Sequence, residues 1–596
     1  MVEVGGDKHE WKISMYLSNI KLWNFRKFGS VSDFDIQKPD LNLNFKKGLN
    51  VLVGENDTGK SAIIDAIKLV LRTHSYEWLR ITDEDFFQES ERVRIEIQFQ
   101  NFADEEAKNF TEWLGWTGKG EDAKPFLRLI YDVTRKESKI LPADVHAGVD
   151  DEGYQLTAEA REYLKVTYLK PLRDAKAEFV PKKNSRLSQI LQGHEAFKGD
   201  EESHYLVKLF KHFNLSIEKY FEAKKPKDDG SGGFEDIGDK KGKELKDKID
   251  EFIHELYDRT KNSNFSVSEG KLKNILEKLE LSIENEINPG LGTLNRLCMA
   301  SELLHLEKPN WNGVRLGLIE ELEAHLHPQA QMQIVETLQE EKNIQLILTT
   351  HSPNLASKVK LENLIICDNN NAFPMGDKYT KLDDTDYSFL ERFLDTTKAN
   401  LFFAKGVILV EGWAEEILLP AFAKKAGFNL TEKGVSIINV ASTAFLRYAK
   451  VFQRQNTPYM SIPVSIITDL DVKPKEEATK KVEKVKEKTD KYNGQTVQTF
   501  VSPYWTLEYC LFKSSSLSIT FKKIVRDIHS GTDWSDFDAG LTEKLNNKGL
   551  NKTEIAYHLA HLLEEDSNKK TPEFTVTKDD EAIKYLIEAI EYACRN

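Results

Sequence analysis

The octapeptide Gly54-Glu55-Asn56-Asp57-Thr58-Gly59-Lys60-Ser61 constrains this chain more than any other stretch. It follows the apolar run Asn50-Val51-Leu52-Val53 and precedes Ala62-Ile63-Ile64-Asp65-Ala66-Ile67-Lys68-Leu69-Val70, so it reads as strand, glycine-framed loop and helix. The glycines let successive backbone N–H groups wrap a phosphate chain at a helix N-terminus, where the helix dipole favours negative charge. Gly54, Asn56, Gly59, Lys60 and Ser61 are therefore candidate ATP-binding residues, with Lys60 reaching the outer phosphates and Ser61 ligating Mg²⁺.

Such a loop works with an acidic partner at the end of a second strand. Arg315-Leu316-Gly317-Leu318-Ile319-Glu320-Glu321 supplies an apolar run closed by two carboxylates. Glu320 is placed to hold Mg²⁺ and Glu321 to polarise an attacking water. The next strand, IQLILTTHS, ends at His351, positioned to sense a γ-phosphate. Upstream, Asn288-Pro289-Gly290-Leu291-Gly292-Thr293-Leu294-Asn295 opens a helix with two glycines and offers another helix N-terminus to a phosphate.

At 596 residues the chain has room for about three or more domains, and 40% hydrophobic content excludes a wholly disordered one. A net charge of −14 argues against a broadly basic coat for nucleic acid, though not against a locally basic groove or one bridged by metal ions. Cys298, Cys367, Cys510 and Cys594 form no CxxC pair, so neither a zinc knuckle nor a disulfide framework is indicated, which fits a reducing cytoplasm. No stretch approaches the ~20 apolar residues of a membrane span, and residues 1–14 lack a signal core and read as a tail or an upstream start. A soluble, cytoplasmic protein with no membrane partner is the expectation.

From residue 15 to about 130 the pattern is strand-rich: YLSNIKLWNFRKF, LNLNF, GLNVLVGEN and RVRIEIQF. A short helix and the strand VTYLKPL follow around 157–169. Residues 224–246, rich in Gly, Lys and Asp, predict a flexible loop or insertion tip between helical patterns near 203–223 and 244–260 that would form an αα-hairpin arm. A strand-helix-strand series spans 286–368, and a second α/β unit begins near 400. Thirteen of residues 472–491 are charged, which predicts a solvated helix or mobile loop rather than core.

A second carboxylate series lies in that late unit. Gly406-Val407-Ile408-Leu409-Val410-Glu411 reads as a strand delivering Glu411 into a turn, followed by a helix whose first residues carry Glu415. Ile466-Ile467-Thr468-Asp469-Leu470-Asp471 ends another strand in Asp-x-Asp, and a period of two would put both aspartates on one side of the strand end. Glu411, Glu415, Asp469 and Asp471 together suit one or two Mg²⁺ or Mn²⁺ ions through hard oxygen ligands. Paired cations would neutralise a phosphodiester and stabilise its departing oxygen.

The early motifs, with NFRKF, AHLHP and TTHSPNLAS, resemble the ABC-type ATPase heads of SMC-like and OLD (overcoming lysogenization defect) proteins. The YLKPLRDAKAEF segment within 163–179 looks specifically OLD-like, and the late carboxylate spacing resembles the Toprim domain shared by topoisomerases, primases and OLD nucleases. The resemblance implies an α/β fold: an ABC/SMC-like ATPase head with a helical insertion, followed by a Toprim (Rossmann-like) domain. It implies a tail at 1–14, head segments at 15–200 and 286–398, a helical insertion or dimerisation arm at 201–285, and a Toprim nuclease domain at 399–596. It also implies that Glu508, in Thr506-Leu507-Glu508, supports the metal cage, and that Lys552 stabilises the scissile phosphate or leaving oxygen.

Its functional implication is an ATP-binding, divalent-metal-dependent DNA endonuclease acting as a head-to-head dimer or tetramer in bacterial antiphage defence. The implied partner is a helicase-like protein or a reverse transcriptase with its DNA-RNA product. Two other readings stay open on the residues alone: a topoisomerase- or primase-like enzyme, and an ATP-gated DNA clamp whose carboxylates hold a structural ion.

Overall fold

The computed structural model describes residues 15–74, 79–118, 120–137, 139–170, 180–227, 232–256, 259–267, 270–284, 286, 289–306, 311–441, 444–474, 476, 478–569 and 573–595. The tail expected at 1–14, residue 288 of the second glycine motif, and positions 171–179 of the OLD-like segment lie outside them. The chain divides into a larger unit, residues 1–73, 77–166 and 313–596, and a smaller one, residues 74–76 and 167–312.

Alternation of apolar and polar residues builds the first sheet of the larger unit. Its path runs Leu41–Asn44, Tyr16–Trp23, Arg92–Gln100, Lys124–Lys136, Val145–Ala147 and Tyr154–Gln155, all antiparallel. Ile20 faces Ile97 and Leu22 faces Ile95 across the central pair, so one face of the sheet is continuous apolar core.

The second sheet is built from continuous apolar runs, as strands covered on both faces must be. Within this unit its order is Leu316–Ile319, Gln345–Thr350, Leu49–Val53, Leu364–Asp368 and Asn371–Pro374, parallel except for the last. The strand before the glycine loop is thus central, and the strands ending at Ile319 and Thr350 release their following residues at the same edge as that loop.

The third sheet lies in the late part of the chain. Four parallel strands run in the order Val435–Asn439, Gly406–Val410, Val464–Thr468, Val497–Val501. The first strand in sequence is flanked by the second and the third, so the order reverses between Gly406–Val410 and Val464–Thr468. Ligand sites of open parallel sheets sit at the carboxyl ends of such strands. Helices Trp413–Lys425, Lys552–Ser567 and Lys584–Ala593 bury their apolar faces in one core with Leu418, Phe422, Leu559, Leu563 and Ile590.

The smaller unit is mostly helical. Arg186–Gly193 and Leu291–Leu306 are tied by a doubly hydrogen-bonded ion pair, Arg186 to Glu302, at 2.5 and 2.6 Å. Helices Tyr205–Tyr220 and Lys241–Leu256 fall where the helical patterns place them. Between them the expected loop at 224–246 is a short antiparallel hairpin, Lys224–Pro226 with Phe234–Asp236, and the second helix already begins at Lys241. Backbone pairing needs no apolar side chains, so polar composition concealed the hairpin.

Candidate functional site

Two sites emerge, each at the carboxyl edge of a parallel sheet. At the first, helix Lys60–Leu71 follows the glycine loop directly. Gly54 has φ +146° and Gly59 φ +98°, a left-handed region that disfavours side chains. A Cβ at Gly59 would also stand 2.5 Å from the Phe28 ring, and one at Gly54 2.5 Å from the Cys367 carbonyl. Both glycines are therefore required by backbone angle and by close approach.

A cavity of about 430 Å³ opens over this loop, lined among others by Arg26, Lys27, Asn56, Lys60, Glu321 and His351, with Gly59 and Ser61 also in its wall. The Lys60 ammonium donates to the carbonyls of Gly54 (2.8 Å) and Glu55 (2.5 Å). Burial lowers its pKa, with the nearby acidic groups acting the other way. Glu320 is buried at the strand end, 5% exposed, and is not among the lining residues, while Glu321 faces the cavity. Burial, then the Lys60 charge, lowers the His351 pKa, with Glu323 and Glu321 acting the other way.

Sequence reasoning missed Glu323, which ties the two strand ends together. Its Oε1 accepts from His351 N at 2.6 Å and its Oε2 from Thr350 Oγ1 at 2.8 Å. Its place two residues beyond the acidic pair was the available signal.

At the second site, Glu411 follows strand Gly406–Val410, and its Oε1 accepts from Thr468 Oγ1 at 2.5 Å and from Asp469 N at 3.3 Å. Glu415 sits in the first turn of helix Trp413–Lys425. Asp469 Oδ1 accepts from Leu507 N at 2.8 Å. Glu508, 3% exposed, occupies the first turn of helix Leu507–Lys513, whose N-cap is Thr506. Lys552, the first residue of helix Lys552–Ser567, brings its ammonium to 2.9 Å from Glu508 Oε2.

The electrostatics show how closely these groups crowd. Burial, then Glu508, pushes the Glu415 carboxyl up to about 7, with Glu411 adding to the rise and Lys552 opposing it. Burial, then Glu508, Glu415 and Glu411, pushes Asp469 well above the carboxylate range. Burial would lower the Lys552 pKa, but Glu508, Asp469 and Glu415 together raise it.

Asp471 corrects the period-two expectation. Extended pairing ends at Thr468, and Asp471 has φ +58°, so the two aspartates do not share a strand face. Asp471 turns to Lys488, its Oδ2 2.6 Å from the ammonium. Lys488 belongs to helix Ala478–Tyr492, in the stretch expected to be a solvated helix or mobile loop, yet it is only 7% exposed. A charge-rich pattern reports the average face and conceals one inward lysine.

Residues 15–356 match the AAA ATPase domain family, and residues 402–471 match the overcoming lysogenization defect protein-like Toprim domain. The chain belongs to the AAA ATPase domain family. Its first site is accordingly in the ATPase domain, and the strand ends bearing Glu411 and Asp469 fall within the Toprim match. The chain is 22% identical over 585 residues, 82% of it and 81% of the relative, to Endonuclease GajA of Bacillus cereus (strain HuB5-5). It is 31% identical to the Retron Ec83 probable ATPase of Escherichia coli over 118 residues, 19% of this chain and 22% of that one. Among solved structures, the C-terminal region of the Burkholderia pseudomallei OLD protein aligns with TM-score 0.24 and 23% identity, over 32% of this chain and 98% of that one. Among the described residues, no helix is long and apolar enough to cross a membrane.

Proposed function

We propose that this chain is an ATP-binding, divalent-metal-dependent DNA endonuclease of the OLD type, an effector of bacterial antiphage defence acting in the cytoplasm. On this reading residues 15–200 and 286–398 form the ATPase head, 201–285 the arm, and 399–596 the nuclease domain. The supporting observation is the carboxylate cluster of Glu411, Glu415, Asp469 and Glu508 with Lys552 at the switch point of the Toprim sheet. The relative named Endonuclease GajA, similar along most of both chains, supports the choice of nuclease over the other Toprim chemistries.

The cluster suits a divalent cation in charge. Four carboxyls crowded until two resist ionisation, against the Lys552 ammonium on Glu508 and the Lys488 ammonium on the adjoining strand end, form a buried site still short of positive charge. Among the described residues, no three acidic, histidine or cysteine side chains stand close enough together to hold an ion as they are. The fit is therefore one of charge and burial, with the coordination sphere still open. Glu411, Glu415 and Asp469 would hold Mg²⁺ or Mn²⁺, with Glu508 in support. When bound, such an ion supplies Lewis acidity at a phosphodiester. Lys552 is then the protein group that stabilises the leaving oxygen, and Glu508 orients its ammonium.

ATP would bind in the cavity over Lys60 and Ser61, Ser61 and the buried Glu320 would be the residues to hold its Mg²⁺, and Glu321 and His351 line the same cavity. The chain works as a dimer or tetramer of itself. Exposed apolar side chains on the arm helix Lys241–Leu256, Phe252 at 62% and Leu256 at 83%, favour a second copy there. The match to a retron ATPase favours a defence partner such as a helicase-like protein or a reverse transcriptase with its DNA-RNA product.

The test is cleavage of supercoiled plasmid by the full chain in Mg²⁺ or Mn²⁺. The double substitution Glu411→Ala, Glu415→Ala is expected to abolish it, and undiminished metal-dependent cleavage by that variant rules the reading out. The alternative, an ATP-gated clamp, predicts DNA retained intact, with nucleotide changing affinity alone.

A further inference from the structure

Helix Ala478–Tyr492 carries lysine or glutamate on every turn, and its lysines other than Lys488 lie largely at the surface. Lys488 is 7% exposed, and its ammonium reaches the end of strand Val464–Thr468. There it donates to Asp471 Oδ2 at 2.6 Å, to the Asp469 carbonyl at 2.5 Å and to Thr468 Oγ1 at 3.2 Å. An ammonium has three N–H donors, so all of them are engaged by one strand end.

The next layer of bonds gives this arrangement a function. Thr468 donates from its hydroxyl to Glu411 Oε1 at 2.5 Å, and Asp469 N donates to the same oxygen at 3.3 Å. Lys488 thus holds the Thr468 hydroxyl directly, and holds Asp469, whose N–H is the second donor to Glu411, through its carbonyl. A hydroxyl that accepts from an ammonium has its proton directed away from that ammonium, which here points it at Glu411. A buried ammonium is costly unless fully hydrogen-bonded, and a lysine serving solubility would have stayed in water.

We propose that Lys488 is a positioning residue of the Toprim carboxylate site: by fixing Thr468, Asp469 and Asp471 together, it aims Glu411 at a divalent cation. The proposal rests on the metal-site reading given above. It makes a prediction opposite in sign to the simplest alternative. A nearby ammonium with no positioning role only repels a metal ion, so its removal would tighten binding. Loss of a group that orients a metal ligand weakens binding, typically by about 10- to 100-fold.

The experiment is Mn²⁺ binding by the full chain, followed by electron paramagnetic resonance of the free ion, with melting curves alongside. Lys488→Met is expected to weaken Mn²⁺ binding by about 10- to 100-fold. Thr468→Val is expected to weaken it as well, and the double variant to fall short of the product of the two effects, because both act through one oxygen of Glu411. Equal or tighter Mn²⁺ binding by folded Lys488→Met overturns the proposal. If that variant does not fold, Thr468→Val decides, and unchanged affinity there overturns it. Glu411→Ala separates the two levels of the argument. Wild-type affinity in Glu411→Ala removes the metal-site reading itself. Lost affinity there, beside unchanged affinity in Lys488→Met and Thr468→Val, removes only the positioning role.

Discussion

Lys60 shows how much of a site one residue can carry. It is 4% exposed, held by two loop carbonyls, with its pKa lowered by burial. A charge-assisted hydrogen bond to an anion contributes about 1.5–3 kcal/mol. Lys60→Ala is therefore expected to weaken ATP binding by about 10- to 100-fold, as measured by titration calorimetry, and to leave the Toprim site's metal affinity unchanged. At this scale the sequence was most readable where a residue sits directly on a strand end. Glu411, one residue past Val410, and Asp469, one past Thr468, are placed by strand geometry alone. Asp471 was not readable, because alternation holds only while the backbone stays extended and its φ of +58° breaks that rule. Lys488 was hidden for a different reason: nothing local distinguishes it from its charged neighbours.

Elements are held by contacts that sequence patterns reach only in part. Strand Gly406–Val410 passes so close to helix Lys584–Ala593 that a Cβ on Gly406 would stand 2.1 Å from the Ala593 carbonyl. Gly406→Ala is expected to cost about 1–3 kcal/mol through overpacking, read from denaturant unfolding. Helices Trp413–Lys425 and Lys552–Ser567 share a second constraint, the ion pair of Lys425 and Asp566 at 2.5 Å. Burial raises the Asp566 carboxyl, but Lys425 and the N–H groups of Glu573 and Phe574 outweigh it and hold the group well below the carboxylate range. A depressed folded-state pKa gives stability that is full above the unfolded value, about 4, and is lost as pH falls below it. Melting temperature is thus expected to drop on acidification below about pH 4, and Asp566→Asn to be less stable at neutral pH and less sensitive to acid. The order of strands and helices was legible from hydrophobic period, whereas the hairpin Lys224–Pro226 with Phe234–Asp236 was not, since it rests on backbone pairing.

Across the larger unit, the phosphate loop and the Toprim sheet meet. Lys405, just before strand Gly406–Val410, pairs with Glu55 of the loop at 3.1 Å, and Glu55 Oε1 stands 3.2 Å from where a Gly434 Cβ would be. Ser461 donates to Asp368 Oδ2 at 2.6 Å, tying the strand beside the loop to the same domain. These contacts join the phosphate loop to the residue that precedes the strand delivering Glu411. Exposed ion pairs contribute about 0.2–1 kcal/mol, so Lys405→Ala is expected to change the effect of ATP on cleavage rate by no more than about fivefold while preserving cleavage itself. This contact was beyond the sequence, because each partner belongs to a motif complete in its own right.

The most direct measurement is a time course of supercoiled plasmid cleavage in Mn²⁺, with and without ATP, for the wild-type chain, Glu411→Ala and Lys60→Ala. The predicted result is metal-dependent cleavage by the wild type, none by Glu411→Ala although it still binds ATP, and cleavage by Lys60→Ala that no longer responds to nucleotide. Cleavage by Glu411→Ala at the wild-type rate would contradict the account, since the phosphodiester chemistry would then lie outside the carboxylate cluster.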